Sequence, residues 1–108
     1  LSRFFPKIES ANFSSYISGL SSYTPDGEII LGPITEIDGL YVAAGDCGSG
    51  VSLSGGIGSI ISEIILDGKS DLYSSSFTPN RFGEVDPFDE EFLNQCAMAR
   101  SKKSRKMK

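Results

Sequence analysis

The chain has 108 residues, enough for one small domain whose hydrophobic core would be modest if it folded alone. With 2 cysteines and no histidine, it is a poor candidate for a zinc site or a disulfide framework, and we expect each cysteine to be a small buried or otherwise unremarkable thiol. We find no signal peptide and no apolar run near the about 18 to 20 residues that cross a bilayer, so we expect no membrane partner. Because the sequence begins at Leu1 and not at methionine, we expect a piece of a longer protein.

The charges are unevenly distributed along the chain. Residues 1–99 carry all 14 acidic groups and four basic ones, whereas residues 100–108 carry six basic groups and no acid. A basic tail of this kind can bind nucleic acid or an anionic membrane. It can also be the solvated end of a helix, and we favour this interpretation because no aromatic residue is interleaved and the rest of the chain is acidic.

The first elements predicted along the chain form a β-hairpin. The Ser-rich segment 13–18 alternates imperfectly between apolar and polar residues, which suggests a strand. The sequence TPDG at Thr24–Gly27 predicts a turn, since proline presets its own φ and glycine tolerates a positive φ. We therefore expect this turn to join the first strand to a second strand at Glu28–Leu31.

A buried strand and a helix follow a loop at residues 32–39. The continuous apolar run Leu40–Ala44 is typical of a strand buried on both faces. Isoleucines then recur with the spacing of one helical face, which predicts a helix from about Val51 to Asp67, ended by Gly68. The isoleucines of this stripe are Ile57, Ile60, Ile61, Ile64 and Ile65.

The C-terminal part predicts a structural arginine and a second helix. We expect Arg81 to hold the chain end against the domain through carbonyls or a carboxylate, in preference to binding substrate. Asp86 can cap a helix running from about Pro87 to Arg100, with acidic residues in its first turn. Its narrow apolar stripe, which could dock on the parent domain, consists of Phe88, Phe92, Cys96 and Ala99.

Six glycines fall between Ala43 and Gly58, where the buried strand passes into the helix. Loop amides and the positive end of a helix dipole at such a junction suit an anionic or acceptor-rich ligand, and glycine lets a flat ligand approach the backbone. A close helix-to-strand crossing would need small residues equally. The loop lacks the third glycine of G-x-G-x-x-G, the G-K-[ST] of a phosphate loop and the G-x-S-x-G of a nucleophile elbow.

The order of these pieces resembles a known family. FFPKIESANFSSYISGLSSYTPDGEIILGP, DGLYVAAGDCGSGVSLSGGIGSIISEIILDGK and FTPNRF together are similar to the C-terminal end of the FAD-dependent D-amino-acid oxidase superfamily, and most of all to its sarcosine and dimethylglycine dehydrogenase branch. The resemblance covers about residues 4–82. It implies an α/β fold in which residues 1–83 are the C-terminal portion of a Rossmann-like FAD-binding domain (hairpin, buried strand, glycine loop and helix), and residues 84–108 are a C-terminal helix and basic tail.

The resemblance also implies a cofactor and a site. The cofactor would be FAD, with the glycine loop beside the isoalloxazine ring and the substrate a small amine or N-methyl amino acid oxidised at its C–N bond. By position, the flavin contacts would be Cys47, Gly48, Ser49, Gly50, Val51 and Ser52. Stabilisation of the negative charge that hydride transfer leaves near N1 and O2 of the flavin agrees with this placement.

Departures from the family pattern limit what this chain does alone. Ser52 stands where some relatives have a lysine near the flavin, and residues 19–23 lack the cysteine that links flavin covalently in others. The dinucleotide fingerprint and the catalytic residues would lie in an upstream part of the same protein, so the chain alone should be inactive. Two functions remain open: a mitochondrial flavin amine dehydrogenase or oxidase, and a non-catalytic relative similar to the regulatory subunit of pyruvate dehydrogenase phosphatase.

Overall fold

The computed structural model describes residues 2–12 and 14–105, with side chains through residue 99. Two short strands, two α-helices and three 3₁₀ turns make up the regular structure of this part of the chain. In chain order they are a 3₁₀ turn at Pro6–Ser10, β1 (Ile30–Pro33), β2 (Tyr41–Ala44), α1 (Gly50–Asp67), 3₁₀ turns at Ser75–Phe77 and Pro79–Phe82, and α2 (Glu90–Arg105). This is an α/β arrangement, as expected.

The two strands form an antiparallel hairpin in which Ile30 is opposite Ala44 and Pro33 is opposite Tyr41. The prediction that β1 pairs with a strand at residues 13–18 is therefore wrong, and residues 14–18 contain no strand. The physical reason is that this segment has no packed apolar face, since Ile17 is 95% exposed. A strand gains its stability from such a face.

The predicted turn at Thr24–Gly27 is confirmed, although it leads into β1 from irregular chain. The Gly27 N–H donates to the Thr24 carbonyl at 3.2 Å, and Gly27 has φ +78°. The prediction that Leu40–Ala44 is buried on both faces is wrong for this chain. Tyr41 and Val42 are half-buried and the two alanines that follow are exposed, because in the described structure β2 pairs only with β1.

Helix α1 packs on β1 through its isoleucine stripe. It begins one residue before the predicted start, and the Gly68 N–H closes it on the Ile64 carbonyl at 3.0 Å, with Gly68 at φ +75°. The buried core consists of Ile29, Leu31, Ile60 and Ile64, with Tyr41, Ile57, Ile61, Tyr73 and Phe77 partly buried around it. Ile65, the fifth isoleucine of the predicted stripe, is 52% exposed.

By length and composition alone, α1 could also cross a membrane. It has 18 residues with a mean hydropathy of 1.2, so the expectation that no stretch approaches this length is wrong. Only 11% of its residues are buried within the chain. The buried ones, Ile60 and Ile64, are those that cover the hairpin.

The second helix is present but begins later than predicted and extends further. α2 begins at Glu90 because the Asp89 carboxylate accepts a hydrogen bond from the Phe92 N–H at 2.8 Å. The expected cap, Asp86, instead accepts from the Phe88 N–H at 2.9 Å and closes a separate turn. Phe88 is 86% exposed, whereas Ala99 is 4% exposed. Within the described chain the stripe is buried at Ala99, and its docking on the parent domain stays a prediction.

Candidate functional site

The loop from β2 to α1 turns through three residues with left-handed backbone. Gly45 has φ +64°, Cys47 φ +51° and Gly48 φ +76°. Glycine adopts this conformation freely, whereas for a side-chain-bearing residue it costs about 1 to 3 kcal/mol. Among the described residues Cys47 is the only non-glycine residue with positive φ. Its surroundings must therefore hold it there.

Contacts with the segment before the TPDG turn hold Cys47 in place. Its N–H donates to the Ser22 carbonyl at 3.0 Å. Its Sγ donates to the Gly45 carbonyl at 3.2 Å and lies 3.4 Å from Thr24 Oγ1. Cys47 is 3% exposed and Thr24 is 4% exposed. The Cys47 thiol consequently faces the interior of the described chain.

The N-terminus of α1 is capped by a carboxylate that the sequence motif did not suggest. Asp46 Oδ2 accepts a hydrogen bond from the Gly50 N–H at 2.6 Å, and the Asp46 carbonyl accepts from the Ser49 N–H at 2.9 Å. A Cβ on Gly50 would lie 2.7 Å from the same carboxylate oxygen. Gly50 is thus required by the cap, and its amide is already engaged.

The next residues of the helix present unused surface. Among the described residues, the N–H groups of Val51 and Ser52 have no hydrogen-bond partner, as expected for the first turn of a helix. Val51 is 96% exposed. The Ser52 hydroxyl donates to the Ser49 carbonyl at 2.9 Å. Two amides and one aliphatic side chain are therefore available to a ligand at this end of α1.

The glycines deeper in α1 have no packing role among the described residues. A Cβ on Gly55, Gly56 or Gly58 would meet no heavy atom within 4 Å. A close crossing of α1 by a strand of the described chain therefore does not explain them. They leave an open surface along the first half of the helix.

Arg81 joins the C-terminal segment to the TPDG turn. Its Nε donates to Asp26 Oδ2 at 2.8 Å, and its Nη2 donates to Asp26 Oδ1 at 3.1 Å and to the Glu28 carbonyl at 2.8 Å. Nη1 donates to the carbonyls of Thr78 at 3.2 Å and Phe77 at 3.4 Å. The Arg81 side chain is 11% exposed. The predicted structural role of Arg81 is confirmed, including its carboxylate and carbonyl partners.

The two hydrogen bonds from the Arg81 guanidinium to the Asp26 carboxylate form a fork, the Arg81–Asp26 fork, which also sets the charge of Asp26. Partial burial raises the pKa of Asp26, but hydrogen bonds from Arg81, the Glu28 N–H and Thr24 outweigh it and lower the pKa from 3.8 to about 2. Burial raises the pKa of the Cys96 thiol, as do the nearby Cys47 and Asp26. Asp26 is therefore a fixed negative charge at neutral pH, and Cys96 stays protonated, as expected for an unreactive thiol.

The six candidate residues form one continuous path, with Cys47–Ser49 in the loop and Gly50–Ser52 in the first turn of α1. The sequence pattern missed two residues that shape this path, Asp46 and Thr24. The first could have been found as an aspartate four residues before the helix start. The contact of Thr24 with Cys47 spans 23 positions, and no local pattern reports such a distance.

Comparison with known proteins shows which protein family the chain resembles. A family model described as FAD dependent oxidoreductase matches residues 1–64. The chain is 32% identical over 77 residues to 4-methylaminobutanoate oxidase (formaldehyde-forming) of Paenarthrobacter nicotinovorans, covering 71% of this chain and 9% of that protein. It is 30% identical over 79 residues to mitochondrial dimethylglycine dehydrogenase of Mus musculus, covering 73% and 9%. It is 33% identical over 79 residues to D-amino acid dehydrogenase of Sinorhizobium medicae, covering 73% and 18%.

The chain spans only 9% to 18% of the length of these relatives. No solved structure matches it. The family match nevertheless covers more than half of the sequence, including the TPDG turn, the hairpin, the glycine loop and most of α1. The chain therefore belongs to the family of FAD-dependent oxidoreductases, whose cofactor is FAD.

Proposed function

We propose that this chain is the flavin-contacting C-terminal part of an FAD-dependent oxidoreductase that acts on the C–N bond of a small amine or N-methyl amino acid. The observation that carries the proposal is the start of α1. There a loop with left-handed residues leads into a helix whose Val51 and Ser52 amides have no partner among the described residues. Such a helix end provides N–H donors backed by the positive end of the helix dipole.

The site residues suit the pyrimidine edge of a flavin. FAD, when bound, accepts the hydride and carries the resulting negative charge. The N–H groups of Val51 and Ser52 would donate to acceptor atoms of that edge, and the Val51 side chain would exclude water from it. Gly48 is exposed and has no side chain, although the Tyr23 hydroxyl lies 3.3 Å from where its Cβ would be, so we expect a ligand to approach its backbone from the opposite side. The Gly50 amide is bound to Asp46, so we assign it to the support of the loop and not to the flavin.

The substrate class rests on the names of the relatives. 4-Methylaminobutanoate, dimethylglycine and sarcosine are the substrates in the names of three related enzymes, and all three compounds carry a methylated nitrogen and a carboxylate. We propose the same class here. The upstream part of the protein would supply the dinucleotide fingerprint and the substrate pocket. Relatives named as mitochondrial support a mitochondrial location in the same way.

Val51→Glu in the full-length protein tests the proposed site. A carboxylate in the first turn favours the helix by about 0.3 to 1 kcal/mol, so the flavin-free protein should melt no lower than the parent. The added carboxylate would cover the free amides and face the acceptor atoms of the flavin, so FAD affinity should fall by at least about tenfold. Affinity is measured by quenching of flavin fluorescence, and stability by thermal melting without FAD.

Leu66→Glu is the matched control, because Leu66 is also an exposed aliphatic residue of α1, 81% exposed, but lies at the opposite end of the helix. It should leave FAD affinity unchanged. Normal affinity in Val51→Glu would contradict the proposed site. A full-length protein that folds and binds no FAD would contradict the enzymatic assignment and favour the non-catalytic alternative.

A further inference from the structure

A line of polar contacts runs from the C-terminal segment to the glycine loop. Arg81 holds both oxygens of Asp26, and Asp26 Oδ1 also lies 3.0 Å from Thr24 Oγ1. Thr24 Oγ1 in turn lies 3.4 Å from Cys47 Sγ. Arg81 and the loop are thus linked through two side chains, although 34 positions separate Arg81 from Cys47 (81 − 47).

Thr24 is the junction of this line. Its hydroxyl has one proton, which can go either to Asp26 at 3.0 Å or to the Glu28 carbonyl at 2.7 Å. The Glu28 carbonyl and Asp26 both accept from Arg81 as well, so the fork fixes both acceptors. With its proton engaged on that side, Thr24 Oγ1 can only accept from Cys47, whose single thiol proton is shared between the Gly45 carbonyl at 3.2 Å and Thr24 Oγ1 at 3.4 Å.

The methyl group of Thr24 restrains the other side of the loop. A Cβ on Gly45 would lie 2.5 Å from Thr24 Cγ2, so Thr24 lies directly against the first residue of the loop. Its hydroxyl contacts Cys47 two residues later. One buried side chain therefore touches two of the three left-handed residues in this loop.

We propose that Arg81 is a positioning residue for the loop at residues 45–49, called the flavin loop below: the Arg81–Asp26 fork fixes Thr24, and Thr24 holds Cys47 in the left-handed conformation that directs the loop into α1. The inference rests on the proposed function, because its consequence is the placement of the Val51 and Ser52 amides. It assigns to the C-terminal segment an influence on the cofactor without any contact with it.

Three variants of the full-length protein test the coupling. Arg81→Lys keeps the charge but loses the fork, Thr24→Val keeps the shape but loses the hydroxyl, and the third variant combines both changes. Each single variant should weaken FAD binding roughly three- to tenfold, the range expected when one or two hydrogen bonds in a support are lost. The two losses of FAD affinity should not add in the combined variant, because both changes interrupt the same line of contacts from Arg81 to Cys47. The combined variant should therefore bind FAD about as tightly as the single variant with the larger loss.

Asn80→Ala is the matched control. Asn80 lies in the same 3₁₀ turn as Arg81 and donates to Glu36 at 2.7 Å and Thr35 at 3.3 Å, so it also ties the C-terminal segment to the hairpin. Its partners lie in the connection between β1 and β2, away from the flavin loop. Asn80→Ala should lower the melting temperature of the flavin-free protein and leave FAD affinity and the flavin midpoint potential unchanged.

The outcomes separate this inference from the proposed function. If Arg81→Lys behaves like Asn80→Ala, or if the losses of affinity in the combined variant simply add, the positioning role is wrong. If Val51→Glu binds FAD normally in the same assay, the proposed site itself is wrong. Should Arg81→Lys fail to fold, Thr24→Ser and Thr24→Val decide. The serine variant keeps the hydroxyl contact with Cys47 and loses only the methyl contact with Gly45, so the valine variant should lose more FAD affinity and shift the midpoint potential further. Equal values in the two variants would overturn the inference.

Discussion

The loop at residues 45–49 and the first turns of α1 are adjacent in the chain, yet they are packed very differently. In the loop, Gly45 and Cys47 are buried against Thr24. In the first turns of α1, Val51 is almost fully exposed and Gly55 faces open space. The chain thus packs against its own residues at 45–49, called the supported side below. It leaves the first turns of α1 exposed, and we call these the open side.

This difference separates two uses of glycine in a single segment. Gly45 is required by its positive φ and by the closeness of Thr24, which are internal reasons. Gly55 has neither reason within the described chain. A glycine kept where nothing inside the chain needs it costs the helix about 1 kcal/mol relative to alanine. No contact within the described chain offsets that cost at Gly55.

The largest expected effect comes from filling the supported side. Gly45→Ala would place a methyl group against Thr24 at a left-handed φ, and we expect a loss of about 2 to 5 kcal/mol in the free energy of unfolding from strain and overpacking together. Gly55→Ala should instead gain up to about 1 kcal/mol in the flavin-free protein. Chemical denaturation measures the free energy of unfolding of both variants. Equal values for Gly45→Ala and Gly55→Ala would contradict the difference in packing between the two regions.

A smaller effect is expected at the boundary between the two regions. Gly50→Ala would displace the Asp46 carboxylate from the Gly50 amide, and the loss of such a cap costs about 1 kcal/mol. A larger side chain such as valine would do the same, so reduced flavin occupancy in Gly50→Val would report the cap as well as the cofactor. Asp46→Asn is the control, since its amide oxygen still caps the helix. It should retain most of the stability that Gly50→Ala loses.

Local patterns predicted the elements of this chain better than their pairing. Isoleucine spacing and Gly68 located α1 to within one residue, and TPDG located its turn. The partner of β1 could not be found in the same way, because four-residue strands pair according to which apolar faces meet, and that depends on the position of α1. For Arg81 the kind of partner was predictable from its chemistry. Its identity was not, since Asp26 lies 55 positions away.

The site was predicted in the same uneven manner. The glycines marked where a ligand could approach, but the pattern gave no sign that Asp46 engages the Gly50 amide or that Thr24 holds Cys47. Both contacts depend on side-chain geometry within a folded loop. A sequence pattern can thus predict an open site without indicating which backbone N–H groups already donate to residues of the same chain, as the Gly50 N–H does to Asp46.

A pH-dependent effect tests the supported side through Asp26. The pKa of Asp26 is lowered to about 2, below its ordinary value of 3.8, so the Arg81 pair stabilises the folded state fully above about pH 4. That contribution should diminish as the pH falls and vanish below about pH 2, where the carboxyl is protonated in both states. Asp26→Asn should be less stable than the parent at neutral pH, and the difference between their urea midpoints should shrink towards pH 2. A constant difference would show that the charge is not what matters.

The smallest expected effect is on the open side, at Ser52. Its hydroxyl donates to the Ser49 carbonyl, so Ser52→Ala loses one exposed hydrogen bond. Alanine is also the better helix former, and the two contributions nearly cancel, which leaves a change in stability within about 0.5 kcal/mol. The effect of Ser52→Ala on FAD affinity should also be small, less than threefold. The Ser52 N–H that we assign to the flavin is kept, and only the side chain is removed. Titration of FAD into Ser52→Ala and Val51→Glu under the same conditions compares the loss of affinity when the Ser52 hydroxyl is removed with the loss when the backbone N–H groups are covered. A large loss in Ser52→Ala would mean that the hydroxyl leaves Ser49 to bind the flavin, and the open side would then depend on side chains as much as the supported side does.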